Sequence, residues 1–261
     1  MFRPAALLLA AALTLVGCTD GGAGPQVTPS PTTSAGSTAA PDPGVAIAAA
    51  VRPGTFPTTS TNYRLDDLQI DGVPRPVEVQ GHVVGPVGAP GRLPLVLFLH
   101  GYNGSCWRES DGDSSGDWPC AEGFEPIPHW QGFTYLQQRL ASQGYLTVSL
   151  SGNGVNVLAG GWDEGGGSAA RSALVRHHLD AWAEGGIPGT ADWPAVDAGS
   201  VLLVGHSRGG EGVDRAVADR PASAGWTVLG EMLSAPSGID PVEQGTVPVV
   251  ALTGYCDGDV G

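Results

Sequence analysis

Apolar and polar positions along this chain fall into short blocks whose period switches between two and 3.6 residues. Stretches 63–70 and 77–84 alternate as half-buried strands, and Leu93–Leu99 is a continuous apolar run ending in His100-Gly101, as a buried central strand should. A helical pattern at 133–143 stops at Gly144 and is followed by a strand at 145–150. Ser168–Glu184 is amphipathic, with Ala173, Leu174, His177, Leu179 and Trp182 along one side, and a short buried strand follows at 200–204. A helix at 211–219, stopped by Pro221, then strands at 226–233 and 247–253 complete the series.

Strands alternating with helices predict right-handed crossovers and an α/β fold, a mostly parallel twisted sheet with helices on both faces. In such sheets ligands bind beyond the carboxyl ends of the strands, so chemistry is expected just after each apolar run.

Before residue 62 the pattern is different. Arg3 and the apolar stretch 5–16 form an export signal ending in Leu15-Val16-Gly17-Cys18, which resembles the bacterial lipobox and implies lipidation of Cys18. A dozen apolar residues are too few to span a membrane. Residues 19–61 are Pro, Gly, Ser, Thr and Ala with few large apolar side chains, which reads as a disordered tether. The expected organisation is therefore a signal peptide 1–18, a tether 19–61 and one domain 62–261. The protein is expected to be exported, either anchored to the cell membrane through its N-terminal lipid or secreted.

All twelve basic residues are arginine, against 26 acidic ones, for a net charge of −14. Such a surface repels nucleic acid, so no nucleic-acid partner is expected. In an oxidising compartment Cys106 and Cys120 are expected to pair across a Gly/Ser/Asp loop, leaving Cys256 without a partner among residues 1–261.

Two G-x-S-x-G sequences occur. Gly112 to Gly116, centred on Ser114, lies in a polar loop with no strand before it. Gly205-His206-Ser207-Arg208-Gly209 follows a buried strand and opens a helix, so Ser207 is the candidate nucleophile on a sharp strand-to-helix turn. Asp111 to Glu122 has the spacing of a calcium loop, but its flanks do not read as paired helices, and no metal is expected. Trp107, Trp118 and Trp130 near that loop read as core packing, or as the lining of a substrate cleft.

His100-Gly101-Tyr102 after one strand, Gly205 to Gly210 after another and Asp257 after a third together resemble the α/β-hydrolase superfamily over residues 63–261. The likeness is greatest to its secreted esterase-like branch, which includes chlorophyllases, dienelactone-hydrolase relatives and bacterial polyester-cleaving enzymes. The resemblance implies a serine esterase without a cofactor, a monomer acting on a small-molecule or polymeric ester. It implies oxyanion donors at the N–H groups of Tyr102 and Arg208, a bracing role for His100, and Asp257 as the acid, with Asp259 as its substitute. The superfamily's order of serine, acid, histidine places the base after Asp257, where no histidine occurs before Gly261. The catalytic histidine, final strand and helix are accordingly expected to lie outside this sequence, which would leave the fragment inactive. Competing expectations are a non-catalytic binding lipoprotein and a peptidase or acyltransferase on the same scaffold.

Overall fold

The computed structural model describes residues 52–158, 167–185, 187–190, 192–238 and 247–254. A seven-stranded sheet contains β1 (Thr58–Leu68), β2 (Val77–Pro86), β3 (Leu93–Leu99), β7 (Leu146–Leu150), β8 (Val196–His206), β9 (Val228–Ser234) and β10 (Val249–Leu252). Their spatial order is β1-β2-β7-β3-β8-β9-β10. The β1–β2 and β2–β7 pairings are antiparallel; every pairing from β7 to β10 is parallel. An α/β fold with a mostly parallel sheet is thus present. The antiparallel strands arise because a short turn, rather than a helix, joins β1 to β2.

A second, three-stranded sheet lies between β3 and the next helix. It consists of two-residue strands β4 (Cys106–Trp107), β5 (Ser114–Ser115) and β6 (Glu125–Pro126), tied by the Cys106–Cys120 disulfide. The helices are α1 (Thr134–Ser142), the single turn α2 (Asn153–Asn156), α3 (Ser168–Glu184) and α4 (Arg208–Ala218). Helix α4 packs on β8, β9 and β3 and against α3, whereas α1 packs on β2 and β7.

Strand β1 starts at Thr58, so residues 58–61, read from composition as tether, are strand. Thr58 to Thr61 pair with Pro86 back to Val83. Threonine suits a pleated, half-exposed edge, and the partner strand supplies the hydrogen bonds that composition alone cannot reveal. Residues 1–51, with Cys18 and the rest of the tether, lie outside the described residues.

The main core holds Leu95, Leu97 and Leu99 of β3, Val148 and Leu150 of β7, Leu203 of β8, Val213 of α4 and Leu179 and Trp182 of α3. These are the apolar runs of the sequence, buried because a parallel sheet is covered where its crossover helices pack. A polar group sits inside this core. Tyr63 Oη accepts the Trp182 Nε1 hydrogen at 3.2 Å and donates its own to His178 Nδ1 at 2.8 Å. That assigns the histidine proton to Nε2. Burial pushes His178 down to about 3, so it is a neutral core residue.

Candidate active site

Strand β8 ends at His206 and α4 begins at Arg208, so a single residue turns the chain from sheet to helix. Ser207 has φ 52° and ψ −127°, a positive φ outside the usual left-handed well for a residue with a side chain. Such a conformation costs about 1–3 kcal/mol and persists only where its surroundings fix it. Here the Ser207 N–H donates to Ser234 O at 2.9 Å, and Ser207 O accepts the Gly210 N–H at 2.8 Å.

The neighbouring glycines explain the spacing of the motif. A Cβ on Gly205 would lie 2.5 Å from Gly209 O, and one on Gly209 would lie 2.5 Å from His100 O. Both approaches are backbone to backbone, so neither can relax by moving a side chain. The first turn of α4 therefore rests on the end of β3, with its N–H groups and positive dipole end aimed toward Ser207.

Strands β3 and β8 are parallel neighbours with Leu99 opposite Gly205, so His100-Gly101-Tyr102 and His206-Ser207 emerge side by side. Gly101 passes close to the serine: a Cβ there would stand 2.8 Å from Ser207 Cβ. Arg208 is buried, and the Tyr102 side chain is 45% exposed. The structure thus brings Ser207, Arg208, Gly101 and Tyr102 to one place, as expected from the sequence.

His100 is buried beneath this loop. Its Nδ1 pairs with Gly101 O at 2.8 Å and its Nε2 accepts the Gly152 N–H at 2.9 Å, which assigns the proton to Nδ1. Burial pushes it down to about 3. A neutral imidazole with both nitrogens bound to backbone braces the loop and takes no proton from Ser207. His129 Nε2 bonds to Gly104 O at 2.7 Å, and His82 Nδ1 to Asn62 Oδ1 at 2.8 Å. His177 lies on α3 beside Arg64 and Pro188, and His206 is exposed at the end of β8. Among the described residues no histidine hydrogen-bonds to Ser207.

The carboxylates Asp257 and Asp259 and the thiol of Cys256 lie outside the described residues. Their strand does approach the site: Leu252 of β10 is level with Ser234 of β9, which is level with His206 of β8.

One feature of the site was not anticipated. Ala235, directly after β9, has φ 43°, and its N–H donates to Leu252 O at 2.6 Å. The strained pair Ser207 and Ala235 is linked through Ser234, and Pro236 packs near Gly210. The sequence signal was Ala235-Pro236, since a residue before proline is barred from the ordinary helical region.

The acidic loop is closed by its own arginine, with Arg108 Nη2 at 2.8 Å from Asp111 and 3.2 Å from Asp113. Among the described residues no cluster of three or more His, Cys, Asp or Glu side chains could hold a metal ion. The three tryptophans are not core residues. Trp107 is 37% exposed and Trp130 half-buried, while Trp118 lines a cavity of about 560 Å³ between residues 73–76 and 116–121. They flank a small disulfide-tied sheet too thin to bury them.

A scan against protein-family models finds no match for this chain, and a search of curated proteins finds none either.

Proposed function

We propose that this protein is a serine hydrolase of the α/β-hydrolase fold that cleaves carboxylic esters through an acyl-enzyme on Ser207. One observation carries the reading: the non-glycine residue with φ 52° and ψ −127° between β8 and α4 is a serine, level with a second strand-end loop. A strained strand-to-helix turn that presents a hydroxyl is the geometry of a nucleophile elbow.

In the proposed reaction Ser207 Oγ attacks the ester carbonyl carbon while its proton passes to a histidine base. The carbonyl oxygen becomes an oxyanion, accepted by the N–H groups of Arg208 and Tyr102. Collapse breaks the carbon–oxygen bond to the alcohol, which leaves with the proton from the imidazolium. Water then attacks the acyl-serine by the same route in reverse. Each oxyanion donor contributes about 10²–10³ in kcat. Asp257, or Asp259 in its place, orients the histidine. No cofactor enters these steps, and the substrate is a small-molecule or polymeric ester. The protein is exported and held at the membrane by a lipid on Cys18.

A binding protein on the same scaffold is the competing reading, favoured by the absence of a described histidine bonded to Ser207. A fluorophosphonate probe decides between them. Labelling of the wild type that disappears in Ser207→Ala supports the hydrolase; an unlabelled wild type, or labelling that moves to Ser114, overturns it.

A further inference from the structure

The loop from Gly101 to Ser105 is held chiefly by its carbonyls. Gly101 O receives the His100 Nδ1 hydrogen at 2.8 Å, Asn103 O the Asn156 Nδ2 hydrogen at 3.3 Å, and Gly104 O the His129 Nε2 hydrogen at 2.7 Å. Ser105 O receives the Ile127 N–H at 2.9 Å and the Asn153 Nδ2 hydrogen at 3.3 Å. Carbonyls tied in this way fix the peptide planes of the loop, and with them the direction in which the Tyr102 N–H points.

Most of these ties lead to one short segment. Gly152 N–H bonds to His100 Nε2, and Asn153 and Asn156 bond to the loop directly; all three are buried in the turn that follows β7. What anchors this turn is a carboxylate from a different strand. Glu78 of β2 is 1% exposed, accepts the Ser151 Oγ hydrogen at 2.6 Å, and accepts the Gly154 N–H at 2.9 and 3.1 Å on its two oxygens. A Cβ on Gly154 would collide with Glu78 Oε2, so the backbone is drawn down onto the carboxylate. From the other side Arg171 Nη2 donates to Asn156 Oδ1 at 2.8 Å.

We propose that Glu78 is a positioning residue for the oxyanion loop, acting through the Ser151–Asn156 turn and His100 to aim the Tyr102 N–H. The proposal rests on the hydrolase reading above. A carboxylate buried where an apolar strand residue would pack more cheaply is retained because only an acceptor pair can hold the Ser151 hydroxyl and the Gly154 N–H together. The charge meets donors fixed in place, as a preorganised support requires.

The test uses the full chain and separates aim from folding. Fluorophosphonate end-point labelling counts competent sites, and p-nitrophenyl ester hydrolysis gives kcat per labelled site. Glu78→Ala is expected to lower kcat per site about tenfold or more, with KM within about threefold, because a misaimed donor weakens the transition state more than the ground state. Glu78→Gln keeps one acceptor for Gly154 and can donate to Ser151 Oγ, so it should restore most of that loss. Should Glu78→Ala fail to fold, Asn156→Ala reads the same network at Asn103 O and should lower kcat per site in the same sense. A Glu78→Ala protein that melts earlier yet keeps wild-type kcat per site overturns the positioning role alone. A wild type with no Ser207-dependent labelling overturns the hydrolase reading, and this proposal with it.

Discussion

Gly101 and Ser207, 106 positions apart in sequence, approach so closely that a Cβ on the glycine would lie 2.8 Å from the serine Cβ. His206 O and Nδ1 are the next atoms such a Cβ would meet, at 3.1 and 3.2 Å. The nucleophile and the neighbouring loop therefore share one space, left open by a missing side chain.

Gly101→Ala should accordingly lower kcat/KM for a short p-nitrophenyl ester by about 100-fold, since the loop must retreat from Ser207 and displacements near 1 Å carry that cost. Gly116→Ala is the control, because a Cβ there meets nothing within 4 Å. Equal activity in the two variants would show that the loop does not serve the serine.

His178 should make the fold acid-sensitive. Its folded value of about 3 lies below the unfolded value near 6.5, so between these limits the unfolded chain binds the extra proton. Its contribution is complete above pH 6.5 and is lost as pH falls toward 3, at about 1.4 kcal/mol per pH unit. Urea unfolding of the wild type and His178→Gln at pH 7.5, 6 and 5 checks this. The variant should be less stable at pH 7.5 and close the gap as the pH falls; a constant gap would refute the assignment.

Glu231 acts in the opposite sense. Its carboxylate is buried on β9 with neither oxygen hydrogen-bonded, and burial, reinforced by Asp214 of α4, pushes it up to about 7. A carboxyl raised in the fold stabilises below the unfolded value near 4.5, and that contribution is lost as pH rises through 7. Glu231→Gln should raise stability at pH 8 by about 2 kcal/mol, somewhat less than the full shift allows because of partial solvent access, and should have little effect at pH 4. Thermal melts at the two pH values provide the measurement, and equal shifts at both would remove the explanation.

Cys18→Ser should leave the protein unprocessed or release it into the medium, because residues 19–61 offer no other apolar anchor. Fractionation of expressing cells tests it. A processed variant that stays in the membrane fraction would end the lipid-anchor reading.

Much of this fold was legible in periodicity. Leu93–Leu99 and Ser168–Glu184 have the bounds that the apolar pattern predicts, because a fully buried strand and a long amphipathic helix repeat their signal at every turn. Ser207 was legible for a related reason: two glycines and a strand before it encode a local turn. Cys106 and Cys120 could be paired by elimination, and the structure joins them. What no local pattern carries is the partner across space. The alternation of 77–84 does not say that β2 would run antiparallel beside β7, nor that Thr58 to Thr61 would pair with it rather than belong to the tether. Glu78 in that strand reads as an outward polar position; only the return of the chain at Ser151 to Gly154, more than 70 residues later, places donors over its carboxylate and buries it. Likewise His100, one candidate base among six histidines in the sequence, becomes a neutral brace only when Gly152 arrives at its Nε2. Sequence specifies elements because backbone geometry and apolar period are local; tertiary structure decides roles because burial and hydrogen-bond partners come from residues far along the chain.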